Sequence, residues 1–144
     1  MRLKIYLTYP LGFKREIREW TIQLERRLHV RILIPVQMET GDLALLEGGN
    51  LKPYSEEEER KSKIIVEANL KAIRNCDILV ALLPHPSISV IMEIFYSGYV
   101  LQKPTLVLAY MKNHPWLNMV ARIYNTKEEI ENEIRRIKDV MRYE

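Results

Sequence analysis

Short apolar runs alternate along the chain with longer stretches of helical periodicity. Leu3, Ile5 and Leu7 alternate with Lys4 and Tyr6, which predicts a first strand that ends at Thr8, and apolar runs at residues 30–34, 78–83 and 105–109 predict three more strands. Between and after these runs, apolar side chains recur every three or four residues with charged side chains in the intervening positions, which predicts amphipathic helices. Because strand and helix alternate throughout, the pattern predicts an α/β fold with a parallel sheet and right-handed crossovers.

Capping and breaking residues set the expected ends of these elements. Two pairs have the spacing of a capping box, Ser55 with Glu58 and Thr126 with Glu129. The first of the two helices that they begin is expected to reach roughly Asn75. A short helix at 116–121 and a brief edge strand near Ile123 are also expected. Residues 37–54 contain several glycines and a proline without a clean period, so they predict a long loop of the kind that often covers a site.

The order of the strands determines where a ligand would bind. We expect a flavodoxin-like three-layer fold with a parallel sheet of four to five strands in the order 2-1-3-4-5, formed by residues 1–144 as a single domain. The first and third strands are neighbours in that order. The loops that follow them, residues 8–14 and 84–89, then meet where the strand order reverses, which is where open α/β sheets bind ligands.

The stretch from Cys76 to Tyr99 carries the strongest candidate for chemistry. A fully apolar strand is followed by two prolines, and Ser87 or Ser89 can then cap a helix that contains Glu93. Glu93 is the only charged residue between Ser87 and Leu101. Its helical face also holds small and partly polar residues, which suits a pocket for a sugar, although an acid near a helix start can simply complement the helix dipole.

Composition narrows the possible partners. Apolar residues make up 47% of the chain and charged residues 28%, and the formal net charge is +3. Most Lys and Arg residues alternate with Glu on helix faces, so we expect no nucleic-acid polymer as partner. No stretch of 18 apolar residues is present, and residues 1–4 lead directly into a strand, so we expect no membrane partner and a cytoplasmic location.

The sequence lacks the motifs of several common functions of such a sheet. Neither GxGxxG nor GxxxxGK[ST] occurs, and the ends of the first and third strands lack the carboxylates of a phosphate-accepting receiver domain. The three histidines show no ligand spacing, and the single cysteine, Cys76, is expected to be a core residue. We therefore expect neither a metal nor a cofactor.

The chain resembles the nucleoside 2-deoxyribosyltransferase superfamily over nearly its whole length, and most closely its branch of 2'-deoxynucleoside 5'-monophosphate N-glycosidases. The stretches that carry the resemblance are Lys4-Ile5-Tyr6-Leu7, Asn75-Cys76-Asp77-Ile78-Leu79-Val80-Ala81, the run from His85 to Ile94, Gln102-Lys103-Pro104 and residues 117–122. The resemblance implies that Glu93 is a nucleophile that attacks C1' of a 2-deoxyribose, with Tyr6 fixing its carboxylate by a hydrogen bond. The alternative for Tyr6 is an ordinary half-buried strand tyrosine.

The resemblance also implies how a small-molecule nucleoside or nucleotide would be held. Ser87, together with Ser89 and the start of the Glu93 helix, would take a 5'-phosphate, and Lys14 and Arg15 would add positive charge from the facing loop. Ser87 could equally be a plain cap, and the two cations could be surface residues. Asn118 occupies the position of a phosphate-contacting residue supplied by the neighbouring subunit, which implies a homodimer or higher homo-oligomer.

Two departures from the family pattern leave other functions open. The family acid that assists the leaving base is replaced by Asn69, whose amide can bind a base but cannot protonate it. Glycines of the family's site are also replaced in this chain by bulkier residues, namely Tyr9, Phe13, Ser89 and Ile91. A non-catalytic nucleotide-binding or sensing module, or a structural oligomer, therefore remain as alternatives. Asp77 is expected to close the turn before the third strand.

Overall fold

Five parallel strands form one sheet in the order β2-β1-β3-β4-β5. The strands are β1 (Lys4–Thr8), β2 (Arg31–Leu33), β3 (Ile78–Leu83), β4 (Thr105–Ala109) and β5 (Arg122–Tyr124). In this computed structural model the described residues are 1–10, 12–36, 55–109, 111 and 114–141. The sheet confirms the expected α/β flavodoxin-like fold and its strand order. The long loop expected at 37–54 lies outside the described residues.

Helices flank the sheet on both faces. Those described are α1 (Lys14–Leu28), α2 (Glu56–Asn75), α3 (Ile88–Phe95), α4 (Pro115–Val120) and α5 (Lys127–Met141). A π-helical segment, Tyr96–Val100, continues directly from α3. The short helix and the edge strand expected near residues 116–123 are confirmed as α4 and β5. Helix α4 starts one residue earlier than expected because Pro115 occupies its first turn, where a missing backbone N–H costs nothing.

The two faces of the sheet bury two separate apolar clusters. Helices α1 and α5 pack on one face through residues such as Trp20, Leu24 and Ile134. Helices α2, α3 and α4 cover the other face through residues such as Ile73 and Ile94. All six residues of β3 are buried, as its unbroken apolar run predicted. Tyr6 belongs to the cluster beneath α3, so β1 directs this side chain toward the helix that carries Glu93.

Side-chain caps begin α2, α3 and α5 at the predicted places. The Ser55 hydroxyl accepts the Glu58 N–H at 3.2 Å, and the Thr126 hydroxyl accepts the Glu129 N–H at 3.2 Å. Both predicted capping residues are therefore confirmed, and in each case the Glu carboxylate accepts the hydroxyl of the cap instead of its backbone N–H. At α3 it is Ser87 that accepts the N–H of Val90, at 3.5 Å. Ser89 lies inside the first turn of α3 and is exposed.

The turn before β4 ties the π-helical segment after α3 to the end of α2. Gln102 has a positive φ of 53°, and the Lys103 N–H donates to the carbonyl of Ser97 at 2.9 Å. The Lys103 ammonium donates to carbonyls of the last turn of α2, at 2.9 Å to Ile73, 2.6 Å to Arg74 and 2.5 Å to Cys76. A cation there complements the negative end of the helix dipole.

Cys76 is a buried core residue, as predicted. Burial raises the pKa of its thiol, while the Lys103 ammonium acts in the opposite direction. In the part of the chain that the structure describes, no helix combines the length and the apolar character needed to cross a bilayer.

Candidate functional site

Both carboxylate oxygens of Glu93 are held by side chains of β1. The Tyr6 phenol donates to Oε2, and the Thr8 hydroxyl donates to Oε1 at 3.1 Å. Tyr6 and Thr8 are fully buried, whereas Glu93 itself is only half-buried. The carboxylate is thus fixed in one orientation by β1, while Glu93 as a residue remains partly exposed.

The local sequence explains why these three groups meet. Side chains two residues apart on a strand point to the same face of the sheet, so Tyr6 and Thr8 both face α3. Strand β1 lies beside β3, with Thr8 in register with Ala81. The Ser87 cap starts α3 shortly after β3 ends, which puts Glu93 about 8 Å along the helix from its first residue. The site therefore lies at the carboxyl edge of the two central strands.

The electrostatics of the site keep Tyr6 as a hydrogen-bond donor. Burial raises the pKa of its phenol above the ordinary value, and the negative charge of Glu93 raises it further. Tyr6 therefore stays protonated across the neutral range. A partly desolvated carboxylate that receives two hydroxyl donors in a fixed geometry is suited to act as a nucleophile, because its attacking oxygen needs little reorganisation.

Tyr6 and Glu93 were predicted from the sequence as site residues, whereas Thr8 was expected only as the end of a strand. The signal that could have found Thr8 is its spacing of two residues from Tyr6 on a strand next to the reversal point. A threonine at a strand end is too common to stand out without that placement.

The two loops at this edge of the sheet meet, as the strand order predicted. The rings of Phe13 and His85 lie 5.8 Å apart between centroids, at an angle of 48°. His85 Nδ1 lies 3.1 Å from the carbonyl oxygen of Pro86. An aromatic pair therefore lies where the loops after β1 and β3 meet, beside the start of α3.

The predicted phosphate-binding residues take different positions around this edge of the sheet. Ser87 is buried as the cap of α3, and Ser89 is exposed on the first turn of that helix. Lys14 and Arg15 are the first two residues of α1 and are exposed, directly after the loop that carries Phe13. The fold thus gathers these residues on the same edge of the sheet as Glu93.

Asn69 contacts a different part of the chain. Its Oδ1 accepts the N–H of Val36 and its Nδ2 donates to the carbonyl of Val36, both at 2.9 Å. These two bonds attach the chain beyond β2 to helix α2. Asp77 also contacts backbone, since its Oδ2 accepts the N–H of Lys4 at 2.8 Å. This bond joins the start of β3 to the start of β1, whereas Asp77 was expected to close the turn before β3.

Asn118 lies toward the opposite edge of the sheet from Glu93. It is exposed on α4 and borders a groove together with Gln102, Thr105 and Arg122. Thr105 and Arg122 are the first residues of β4 and β5, so this groove is at the amino edge. Within one chain, Asn118 and Glu93 therefore do not share a site.

Among the described residues, no three His, Cys, Asp or Glu side chains come together as metal ligands would.

Comparison with known proteins shows that the fold of this chain is similar to that of solved structures. Neither a family model nor a curated protein matches the sequence. The chain is similar to the solved structure of a 2-deoxyribosyltransferase from the psychrotolerant bacterium Bacillus psychrosaccharolyticus, with a TM-score of 0.62, 17% identity and 90% of each chain covered. The identity is low enough that this likeness establishes the fold alone.

Two weaker similarities add no weight to that result. The CMP N-glycosidase BcmB of Clostridium botulinum matches with a TM-score of 0.49 and 16% identity, over 90% of this chain and 97% of that one. The flavoenzyme NAD(P)H:acceptor oxidoreductase FerB of Paracoccus denitrificans matches with a TM-score of 0.45 and 10% identity, over 96% of this chain and 94% of that one.

Proposed function

We propose that this protein cleaves the N-glycosidic bond of a 2'-deoxynucleoside or its 5'-monophosphate, as an N-glycosidase or a deoxyribosyltransferase. The observation that carries the proposal is the Glu93 carboxylate, fixed by Tyr6 and Thr8 at the carboxyl edge of the sheet. The motif resemblance and the fold shared with a 2-deoxyribosyltransferase support a place in the nucleoside 2-deoxyribosyltransferase superfamily, in or near its 5'-monophosphate N-glycosidase branch.

The proposed reaction has two steps. An oxygen of Glu93 attacks C1' on the face opposite the base, the bond from C1' to the base nitrogen breaks, and its electron pair leaves with the base. The product is a deoxyribosyl ester of Glu93. Water resolves the ester in a hydrolase, and a second base resolves it in a transferase. Tyr6 and Thr8 hold the carboxylate in the attacking orientation, which reduces the entropy lost on reaching the transition state.

The 5'-phosphate would bind at the amino end of α3. Backbone N–H groups at a helix start and the positive end of the helix dipole favour an anion. Ser87 and Ser89 begin this helix, and Lys14 and Arg15 add cationic charge from the start of α1. We propose these four residues as the phosphate site. The chain would then act on small molecules in the cytoplasm, as one domain spanning residues 1–144.

The exposed face of α3 supports a homodimer or higher homo-oligomer. Ile88, Met92, Phe95 and Tyr99 follow one another at spacings of four, three and four residues and are 52%, 66%, 39% and 54% exposed. Phe95 and Tyr99 stack with centroids 5.0 Å apart. An apolar helix stripe of this period is typical of helix pairing between subunits. A second chain would also supply the Asn118 that one chain keeps away from its own Glu93.

Replacing Met92 by lysine should dissociate the proposed oligomer. A charge in the middle of the stripe would be buried without a partner on association, which is unfavourable. Sedimentation velocity should show a smaller species for this variant than for the wild type at the same concentration. Ile22→Lys, which changes a 52% exposed residue of α1 on the other face of the sheet, is the matched control. A monomeric wild type, or equal dissociation by the control, would contradict the proposed interface.

The proposed function is tested with a panel of deoxynucleosides and their 5'-monophosphates, with and without an acceptor base. Base release without acceptor indicates hydrolysis, and base exchange indicates transfer. Glu93→Ala serves as the blank, since it lacks the carboxylate. Turnover that disappears in this variant supports the proposal, and the absence of turnover on every substrate contradicts it.

A non-catalytic nucleotide-binding module is the second candidate function. It is favoured by Asn69, which cannot donate a proton to a base and whose amide already binds the backbone of Val36. In the same panel this function predicts no base release. Calorimetry would then show binding of a deoxynucleotide that the Glu93→Ala variant retains.

Thr8→Val should lower kcat about tenfold, because the hydrogen bond to Oε1 of Glu93 disappears while the shape of the side chain is kept. Steady-state kinetics on the best substrate of the panel measures this effect. Thr21→Val is the matched control, since it removes a hydroxyl that binds the carbonyl of Ile17 in α1, at 2.7 Å. An unchanged kcat for Thr8→Val, or an equal loss for the control, would show that Thr8 does not orient the nucleophile.

A further inference from the structure

The proposed reaction needs a group that protonates the departing base, and Asn69 cannot supply it. A purine anion is a poor leaving group, and a positioned acid commonly contributes about a hundredfold or more to such a step. An amide has no proton to give at neutral pH. Both ends of the Asn69 amide also bind the backbone of Val36. The acid must therefore come from another residue, if the proposed function holds.

His85 is well placed among the described residues to be that acid. It follows β3 directly and lies on the carboxyl edge of the sheet, half-buried, with its ring against Phe13. Imidazole is the side chain best suited to exchange a proton near neutral pH. The two rings are tilted by 48°, and the face of either ring is a surface on which a purine can stack.

The hydrogen bond at Nδ1 of His85 determines which ring nitrogen would donate the proton. A carbonyl oxygen only accepts hydrogen bonds, so Nδ1 of His85 carries a hydrogen when it binds the carbonyl of Pro86 at 3.1 Å. The second proton of the imidazolium is then on Nε2. This arrangement makes Nε2 the nitrogen that donates and regains a proton.

His85 and Glu93 lie at the same edge of the sheet. His85 contacts the loop after β1 through Phe13, and Glu93 contacts β1 through Tyr6 and Thr8. Both belong to the segment that follows β3, one before and one after the Ser87 cap of α3. The fold therefore places both side chains beside the carboxyl ends of β1 and β3.

We propose that His85 is the catalytic acid that protonates the purine base as it leaves. Nε2–H of the imidazolium gives its proton to a ring nitrogen of the purine while the C1'–N bond breaks and the C1'–O bond to Glu93 forms. The neutral imidazole then takes a proton from the water that hydrolyses the ester. This restores the imidazolium and the Glu93 carboxylate and releases deoxyribose, or its 5'-phosphate.

The test compares two leaving groups. The substrates are 2'-deoxyguanosine 5'-monophosphate and its 7-methyl derivative, whose base is already cationic and departs without a proton. For His85→Gln we expect kcat/KM to fall about a hundredfold on the first substrate and less than about threefold on the second. His85→Asn should show the same pattern, and thermal melting confirms that both variants fold. His29→Asn, at the exposed carboxyl end of α1, is the control and should leave both substrates unaffected.

Each remaining outcome decides between the two proposals. Loss of activity on both substrates to the same extent, or on neither, would overturn the role of His85 while the proposed function stands. A wild type that cleaves neither purine substrate but releases pyrimidine bases would also overturn the inference alone. A wild type inactive on every deoxynucleotide would contradict the proposed function itself.

Discussion

Replacing Glu93 by glutamine is expected to reduce turnover by a factor of about 10⁴ or more, because an amide cannot form the ester intermediate. Glutamine keeps the shape of the side chain, and its amide group can still bond the hydroxyls of Tyr6 and Thr8. The fold should therefore be retained. Base release measured by chromatography gives the rate, and thermal melting gives the stability of the variant.

Two further observations make this prediction specific to Glu93. Glu67→Gln removes an exposed acid on α2 and should leave turnover unchanged. In the wild type, an acid quench during turnover should yield a peptide that contains Glu93 and carries one deoxyribosyl group. Glu93→Gln that retains a substantial part of wild-type turnover, or a deoxyribosyl group on a different peptide, would contradict the assigned nucleophile.

The fold could be predicted from the sequence because each element has its own periodicity and boundary residues. The unbroken apolar run of β3 required a strand covered on both faces, and the capping residues Ser55 and Thr126 fixed two helix starts. Strand β2 is shorter than the apolar run 30–34 predicted. Its ladder with β1 ends at Leu33, two residues before Pro35, which has no N–H to donate to a ladder.

The site was predictable only in part, because several of its contacts link distant residues without a local pattern. Glu93 stood out as a lone charge in an apolar helix, and its bond to Tyr6 agrees with the expected pairing. The contribution of Thr8 depends on the register of β1 against β3. The partner of Asn69 is a backbone group of Val36, and a backbone group leaves no signature in the sequence.

The packing of Gly98, in the helix that carries Glu93, could not be predicted from the sequence either. It lies in the π-helical segment that continues α3, against the last residue of α4. A Cβ atom at this position would lie 1.8 Å from the carbonyl oxygen of Val120 and 2.9 Å from its carbonyl carbon. These are backbone atoms, so relief requires α4 or the α3 segment to move. Only the folded structure reveals this close approach.

Gly98→Ala is therefore expected to destabilise the protein by about 3 kcal/mol, near the upper end of the usual cost of overpacking. For a domain of this size the melting temperature should fall by roughly 9 °C. Gly12→Ala is the matched control, since its Cβ would meet nothing within 4 Å but its φ of +105° strains an L-residue. The control should cost only about 1 to 2 kcal/mol.

The two glycine variants separate steric overlap from backbone strain. Because Gly98 follows Glu93 by little more than one turn of continuous helix, movement that relieves the overlap at Val120 also displaces the carboxylate from Tyr6 and Thr8. Gly98→Ala should then lower kcat even at temperatures where it is fully folded. A Gly98→Ala protein that melts no lower than Gly12→Ala would show that α4 yields easily, and the contact at Val120 would then not fix the position of the Glu93 helix.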